Sequence, residues 1–355
     1  MRILIINIIL VIIEALVVSA TSLGIRQKRK LFLEIAFIQL FVVHAFLDPY
    51  VMDDLPGYLE MYETFGQNRL YDSIFVGYVG VKMEPGWVLL CKLLYCFTTN
   101  PRTILIVTSI IIVGSYMISI YRYSYIAWLS VFILLTTNFD QSLFVLRQHT
   151  AIAMCLLTIP YIINRNWLRF GLVVLLAMSI HQTAFIFVLL YIVYPMRFEG
   201  RFAIYYSLAL MIAVFFVPRI MGWAFGNLWY NGYEDREGSN LTAFFIEMAC
   251  LILFLFSKNW KVRKLIPEER VFFIMISLAT LISLAGAGFS PTNRLVKYFS
   301  VSELFIIPMA IVSFKDKAVR IATIFVILFF YSLLFFSPSN TEYIKNYHLI
   351  FLEWL

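Results

Sequence analysis

Apolar runs of about 20 residues recur along this chain, and that is the length one helical crossing of a bilayer core requires. The first is Ile3–Ala20, and the basic cluster Arg26-Gln27-Lys28-Arg29-Lys30 follows it. Further runs cover residues 31–47, 103–121 and 125–137, then one opening at Leu146 and closing at Asn164-Arg165-Asn166. Others follow at 167–180, 182–194, 202–217, 241–256, 271–288, 295–314 and 320–336. The pattern predicts an all-α polytopic transmembrane bundle of about twelve spans, with short re-entrant or interfacial helices beside them.

Composition excludes the main alternatives. The chain is 62% hydrophobic and 14% charged, with a mean hydropathy of +0.85, whereas a soluble domain needs far more charge to cover its surface. No stretch is polar enough for a separate soluble domain, so residues 1–355 read as a single integral membrane domain. The net charge of +7 is dispersed in short clusters between apolar runs. That is how orientation signals look, and it predicts no nucleic-acid partner. Cys91, Cys96, Cys155 and Cys250 show neither metal-ligand nor disulfide spacing and read as small core residues.

Basic clusters mark the cytoplasmic side. Arg26 to Lys30, Arg122, Arg165, Arg197 with Arg201, Lys258 to Lys264 and Lys315 with Lys317 then lie inside. The outer loops are 48–84 and 218–240, and the aromatic-rich tail 338–355 lies in the outer interface. Glu84-Pro85-Gly86 opens a run, 87–97, that is short for a span and reads as a re-entrant or interfacial helix. Pro85 suits its first turn and Glu84 its positive end. A rival count lets 87–97 cross and joins 167–194 into one tilted helix. It would place Arg122, Arg165 and Arg169 outside and His181 near the midplane.

Under the preferred count Asp53, Asp54, Glu84, Arg147, His181 and Arg294 share the outer face. Ionisable groups within apolar sequence cost free energy to bury and are functional candidates for that reason. The stretch from Leu146 to Ala184 carries two of them, in Arg147-Gln148-His149-Thr150-Ala151 and Ala177-Met178-Ser179-Ile180-His181-Gln182-Thr183-Ala184. Fixed guanidinium groups suit an anionic lipid headgroup, and an imidazole suits proton transfer near neutrality. Each also has a structural reading: Arg147 snorkelling to lipid phosphate, His181 as a polar turn residue, Glu84 as a helix cap.

Arg147-Gln148-x-x-Ala151 followed by Ala177-x-x-x-His181-x-x-Ala184 resembles the EpsG-like branch of the Wzy-type polysaccharide polymerases. Asp54-x-x-x-Tyr58, Glu84-Pro85-Gly86 and Arg294-x-x-x-Tyr298 extend the resemblance over most of the chain in order. It implies a glycosyltransferase of the broad GT-C type in the bacterial inner (plasma) membrane, with its active site facing the periplasm or exterior. Donor and acceptor would both be undecaprenyl-pyrophosphate-linked oligosaccharides among membrane lipids, with a chain-length regulator and a flippase as further partners. No cofactor and no metal are implied. His181, Glu84 and Asp54 are then the catalytic candidates. Arg147, Gln148, Arg294, Asp53, Tyr58 and Tyr298 are the substrate-binding candidates. Three rivals stay open. An O-antigen ligase shares the chemistry with a different acceptor. A lipid-linked oligosaccharide flippase should show matched internal repeats, and none is found between the halves. A membrane acyltransferase should take its donor from the cytoplasm.

Overall fold

The computed structural model describes residues 2–51, 54–79, 82–196, 241–261, 265–285, 292–337 and 349. They fold as helices joined by short turns, and no strand longer than a single bridge occurs among them. In chain order these are α1 (Arg2–Ala20), α2 (Ile25–Ala45), α3 (Leu55–Gln67), α4 (Leu70–Phe75), α5 (Pro85–Tyr95) and α6 (Arg102–Tyr123). There follow α7 (Ala127–Thr137), α8 (Phe139–Phe144), α9 (Leu146–Leu156), α10 (Ile159–Ile163) and α11 (Trp167–Ile180). A 3-10 turn, Gln182–Phe187, leads into α12 (Val188–Val193). The remaining helices are α13 (Leu241–Ser257), α14 (Pro267–Ala285), α15 (Thr292–Ser300), α16 (Glu303–Ser313) and α17 (Lys317–Phe335).

Packing divides the chain into two compact units. The first holds Met1–Thr158, Gly171–Gln182 and Ile321–Leu355; the second holds Ile159–Phe170 and Thr183–Arg320. In the first unit α6 packs against α2 and α9, and α3 lies on α5. Asn100 opens α6, its side-chain oxygen accepting from the Arg102 backbone N–H at 3.0 Å. Thr108 and Ser109 are fully buried in α6, and each hydroxyl oxygen lies within hydrogen-bond reach of a carbonyl one turn back, at 2.6 and 2.5 Å. Those bonds let polar side chains sit in an apolar bundle without orphaned groups. In the second unit α14 packs against α13, α15 and α16, and Lys258 and Glu269 pair across the α13–α14 turn at 2.5 Å.

The outer surface is what marks the solvent. Leu16 and Val17 on α1, and Phe325, Val326 and Phe329 on α17, are each more than 60% exposed. Water does not tolerate such continuous apolar helix faces, and acyl chains do. Four described stretches are long and apolar enough to cross a membrane: Ile3–Ala20, Arg102–Tyr123, Arg294–Ser313 and Lys317–Phe335. Helices also stand at the other expected runs, several of them short. The expected run 202–217 and the loop 218–240 lie outside the described residues, as does the tail 338–355 apart from Leu349.

Three details refine the sequence reading. α5 has 11 residues, about 16 Å of helix, against about 30 Å of hydrocarbon. Residues 167–194 are not one continuous α-helix, because α11 ends at Ile180 and a 3-10 turn begins at Gln182. Cys91, Cys155 and Cys250 are buried as expected, but Cys96 is exposed: it lies just beyond the last turn of α5.

Candidate active site

Glu84 stands at the entrance to α5. Its backbone is extended, at φ −62° and ψ 134°, and Pro85 begins the helix with the φ that its ring already imposes. The Glu84 carbonyl accepts from the N–H groups of Trp87 and Val88 at 3.1 and 3.3 Å, which closes the first turn. Trp87, Val88 and Cys91 are fully buried and hold α5 against the rest of the first unit. The cap reading is corrected here: the Glu84 carboxylate makes no capping bond to its own helix. It points away instead, to Arg147, His181 and Gln182.

Arg147 comes from the first turn of α9. Its Nη1 donates to Glu84 Oε2 and lies 3.3 Å from Met83 Sδ. His181 follows the last turn of α11, and its backbone N–H closes that turn on the Ala177 carbonyl at 2.9 Å. The His181 Nδ1 is 3.2 Å from Glu84 Oε1. The Gln182 backbone N–H donates to the same oxygen at 3.2 Å. The three side chains are 14%, 19% and 8% exposed for Glu84, Arg147 and His181, so water screens them little.

Gly86 makes the approach possible. A Cβ at this position would sit 2.7 Å from both the Cβ and the carbonyl oxygen of Ser179 and 2.1 Å from its Oγ. The backbone of α5 therefore passes the end of α11 closely enough for Glu84 to reach His181 only while residue 86 has no side chain. In Glu84-Pro85-Gly86 the three residues divide the work: ligand, helix start and close contact.

Burial alone would push the Glu84 carboxyl up, but the hydrogen bond from His181 and the Arg147 guanidinium outweigh it and hold the group at about 2. An ionised carboxylate only accepts hydrogen bonds. His181 Nδ1 must therefore be the donor, and in the neutral ring Nε2 is left as the basic nitrogen. With Glu84 negative, Arg147 positive and His181 neutral, the trio carries no net charge. One added proton makes it a monocation beside a carboxylate already aligned to stabilise the imidazolium.

Tyr58 joins this group from α3. It is buried and packs edge-on against Trp87 with ring centroids 5.6 Å apart. Burial raises its phenol, while the charge of Arg147 and a hydrogen bond from that guanidinium pull the other way. Gln148 is buried beside Arg147 in α9. Asp54 is exposed at the start of α3 with no side-chain cap bond, and Asp53 lies outside the described residues. Arg294 and Tyr298 belong to the second unit. There Arg294 is exposed on α15, and the buried Tyr298 hydroxyl takes a hydrogen bond from Thr183 Oγ1 at 3.2 Å. No group of three or more His, Cys, Asp or Glu side chains gathers to hold a metal among the described residues.

Sequence alone gives no sign of the Met83 sulfur or the Gln182 N–H, because neither residue type carries a signal of its own. The Gly86 contact was legible only as a glycine following a helix-starting proline.

No curated protein and no solved structure gives a significant match to this chain. The model of the EpsG family, however, matches residues 30–349, a stretch that contains every side chain of the Glu84–Arg147–His181 group, and the chain is therefore a member of the EpsG family.

Proposed function

We propose that this membrane polysaccharide polymerase joins oligosaccharide repeat units carried on undecaprenyl pyrophosphate, at the outer face of the plasma (inner) membrane. In this reading the bundle has about twelve spans in a GT-C-like arrangement and works without a metal. The observation that carries the reading is the shared carboxylate: one ionised Glu84 orients both a guanidinium and an imidazole.

The chemistry follows from that arrangement. A hydroxyl of the acceptor sugar attacks the anomeric carbon of the donor chain. Its proton passes to His181 Nε2 as the new C–O bond forms. The bond from the anomeric carbon to the diphosphate oxygen breaks, and undecaprenyl pyrophosphate leaves with the electron pair. Negative charge grows on the leaving group, and Arg147 supplies a fixed positive group toward it in a screened site. Glu84 keeps the imidazole in the tautomer that accepts a proton and stabilises it once protonated. Tyr58 and Gln148 hold Arg147 and its helix from the buried side. On the resemblance alone, Arg294 is the second candidate guanidinium, with Tyr298 as its neighbour, and Asp53 and Asp54 are candidates for sugar hydroxyls.

The test mixes purified full-length protein with its undecaprenyl-pyrophosphate-linked repeat unit and reads the product as a ladder. Wild-type protein should extend the chain, and His181→Ala should leave single units. A normal ladder from His181→Ala would sink the assignment of the base. Transfer only to an acceptor that lacks the lipid diphosphate would identify a ligase instead.

A further inference from the structure

Another buried histidine of the first unit is not among the residues assigned to catalysis. His44, near the end of α2, is 3% exposed, and its two ring nitrogens reach two other helices. Nδ1 is 2.7 Å from Ser109 Oγ on α6, and Nε2 is 3.1 Å from Ser142 Oγ on α8. Both serines are fully buried. The ring also stands edge-on to Phe139, the first residue of α8, at 5.7 Å. Three helices thus meet on one imidazole.

The hydrogen bookkeeping shows that this is a bridge and not mere packing. Ser109 Oγ lies 2.5 Å from the Leu105 carbonyl, and Ser142 Oγ lies 2.6 Å from the Phe139 carbonyl. If each hydroxyl spends its single proton there, both serine oxygens face His44 as acceptors. A neutral ring has one N–H, so one serine turns its proton to the ring instead. Either way the ring joins both serines at once, which no apolar side chain of the same volume can do.

The position of α8 gives the bridge its consequence. α8 has only six residues, too few to hold its own place by helix propensity. Its C-terminal residue, Phe144, is followed by Val145 at φ −95° and ψ 58°, a break from helical geometry, and α9 then begins. Arg147 is five residues beyond Ser142 and in the first turn of α9. Where α8 sits decides where α9 starts, and so where the guanidinium meets Glu84.

We infer that His44 is a positioning residue for Arg147: by bonding Ser142 from α2 through Nε2, with Ser109 steadying the ring, it fixes the short helix that delivers the guanidinium to Glu84. The inference builds on the catalytic role proposed for Arg147, but its test does not depend on that role.

The experiment records the His181 imidazole nitrogen resonances in full-length, 15N-histidine-labelled protein in lipid nanodiscs at fixed pH. Arg147→Gln marks where the signal goes when the guanidinium leaves Glu84. Ser142→Ala and His44→Asn, whose short amide reproduces only the Nδ1 reach, should move the signal toward that position. His44→Gln, whose amide reproduces the Nε2 reach to Ser142, should leave it at the wild-type position. A simple packing role predicts instead that His44→Met, which fills a similar volume without a hydrogen-bonding nitrogen, also leaves it there. Wild-type spectra from Ser142→Ala and His44→Asn would overturn the inference, and so would a wild-type spectrum from His44→Met. The ladder assay on the same samples tests catalysis separately: if wild-type protein forms no polymer while the spectral pattern holds, the catalytic reading fails and the positioning role stands.

Discussion

Glu84 Oε1 takes a hydrogen bond from His181 Nδ1 at 3.2 Å, joining residues 97 apart in the chain. The relationship assigns the tautomer of His181 and so decides which nitrogen can act. Glu84→Gln keeps the shape but presents an amide that can also donate, so it no longer selects that tautomer. Turnover should fall roughly 10²- to 10⁴-fold, the range spanned by losing positioned acid–base catalysis. His181→Ala should fall at least as far, and the double variant should lose little more than either alone, because the two act as one unit. The check is the rate of ladder formation for the three proteins. Additive losses would mean that the residues act independently.

Arg147 tests the charge balance of the same group. Removing it leaves Glu84 paired, among the described residues, to a titratable imidazole and a backbone N–H. Breaking a buried ion pair on one side costs about 3–5 kcal/mol, less where water reaches the pair as it does partly here. Arg147→Gln should therefore destabilise the protein more than Arg147→Gln combined with Glu84→Gln. Arg147→Lys should restore much of the stability but not the turnover, since a point charge replaces a planar fork that serves two partners. Thermal unfolding in detergent, read beside ladder formation, separates the two effects. Full turnover from Arg147→Lys would show that charge alone suffices.

Gly86 gives a steric prediction. Gly86→Ala places a methyl 2.7 Å from a backbone oxygen that cannot swing aside. Overpacking of this kind costs about 1–3 kcal/mol, and here it also moves Glu84 off His181. Ser179→Gly removes the side-chain part of the clash but not the carbonyl, so adding it to Gly86→Ala should rescue only partly. Gly57 in α3 is the control, because a Cβ there meets nothing within 4 Å. Gly57→Ala should be neutral or stabilising by up to about 1 kcal/mol through helix propensity. Unfolding midpoints of the four proteins in one detergent check the order, and a Gly86→Ala midpoint equal to that of wild type would show that α5 and α11 have room to part.

These residues show why the fold was legible from the sequence and the site only in part. Helices at Ile3–Ala20, Arg102–Tyr123 and Lys317–Phe335 follow from apolar run length alone, which is a local property. Pro85 starts α5 for an equally local reason. Glu84, Arg147 and His181 could be named as candidates because charged and titratable side chains stand out in apolar sequence. Their partnership could not, since it depends on α5, α9 and α11 meeting across long separations. For the same reason the local rule for Glu84 misled: an acid at a helix entrance caps it unless a stronger partner is near, and Arg147 is that partner.

Acid titration reaches the same group by stability instead of rate. The Glu84 carboxyl is held at about 2 against its ordinary 4.5, mainly because the His181 hydrogen bond and the Arg147 charge overcome its burial. A carboxyl depressed in the folded state stabilises the protein fully above its unfolded value, and that contribution fades as pH falls toward the folded value. Between pH 4.5 and 2 the wild type should therefore lose stability from this site, on the order of 2–3 kcal/mol in all. Glu84→Gln has no proton to take up in that window, so its stability should change with a shallower slope there. Unfolding midpoints measured from about pH 2 to 6 in one detergent give both slopes. Equal slopes would mean that Glu84 is not ionised by Arg147 and His181, and the tautomer assigned to His181 would lose its basis.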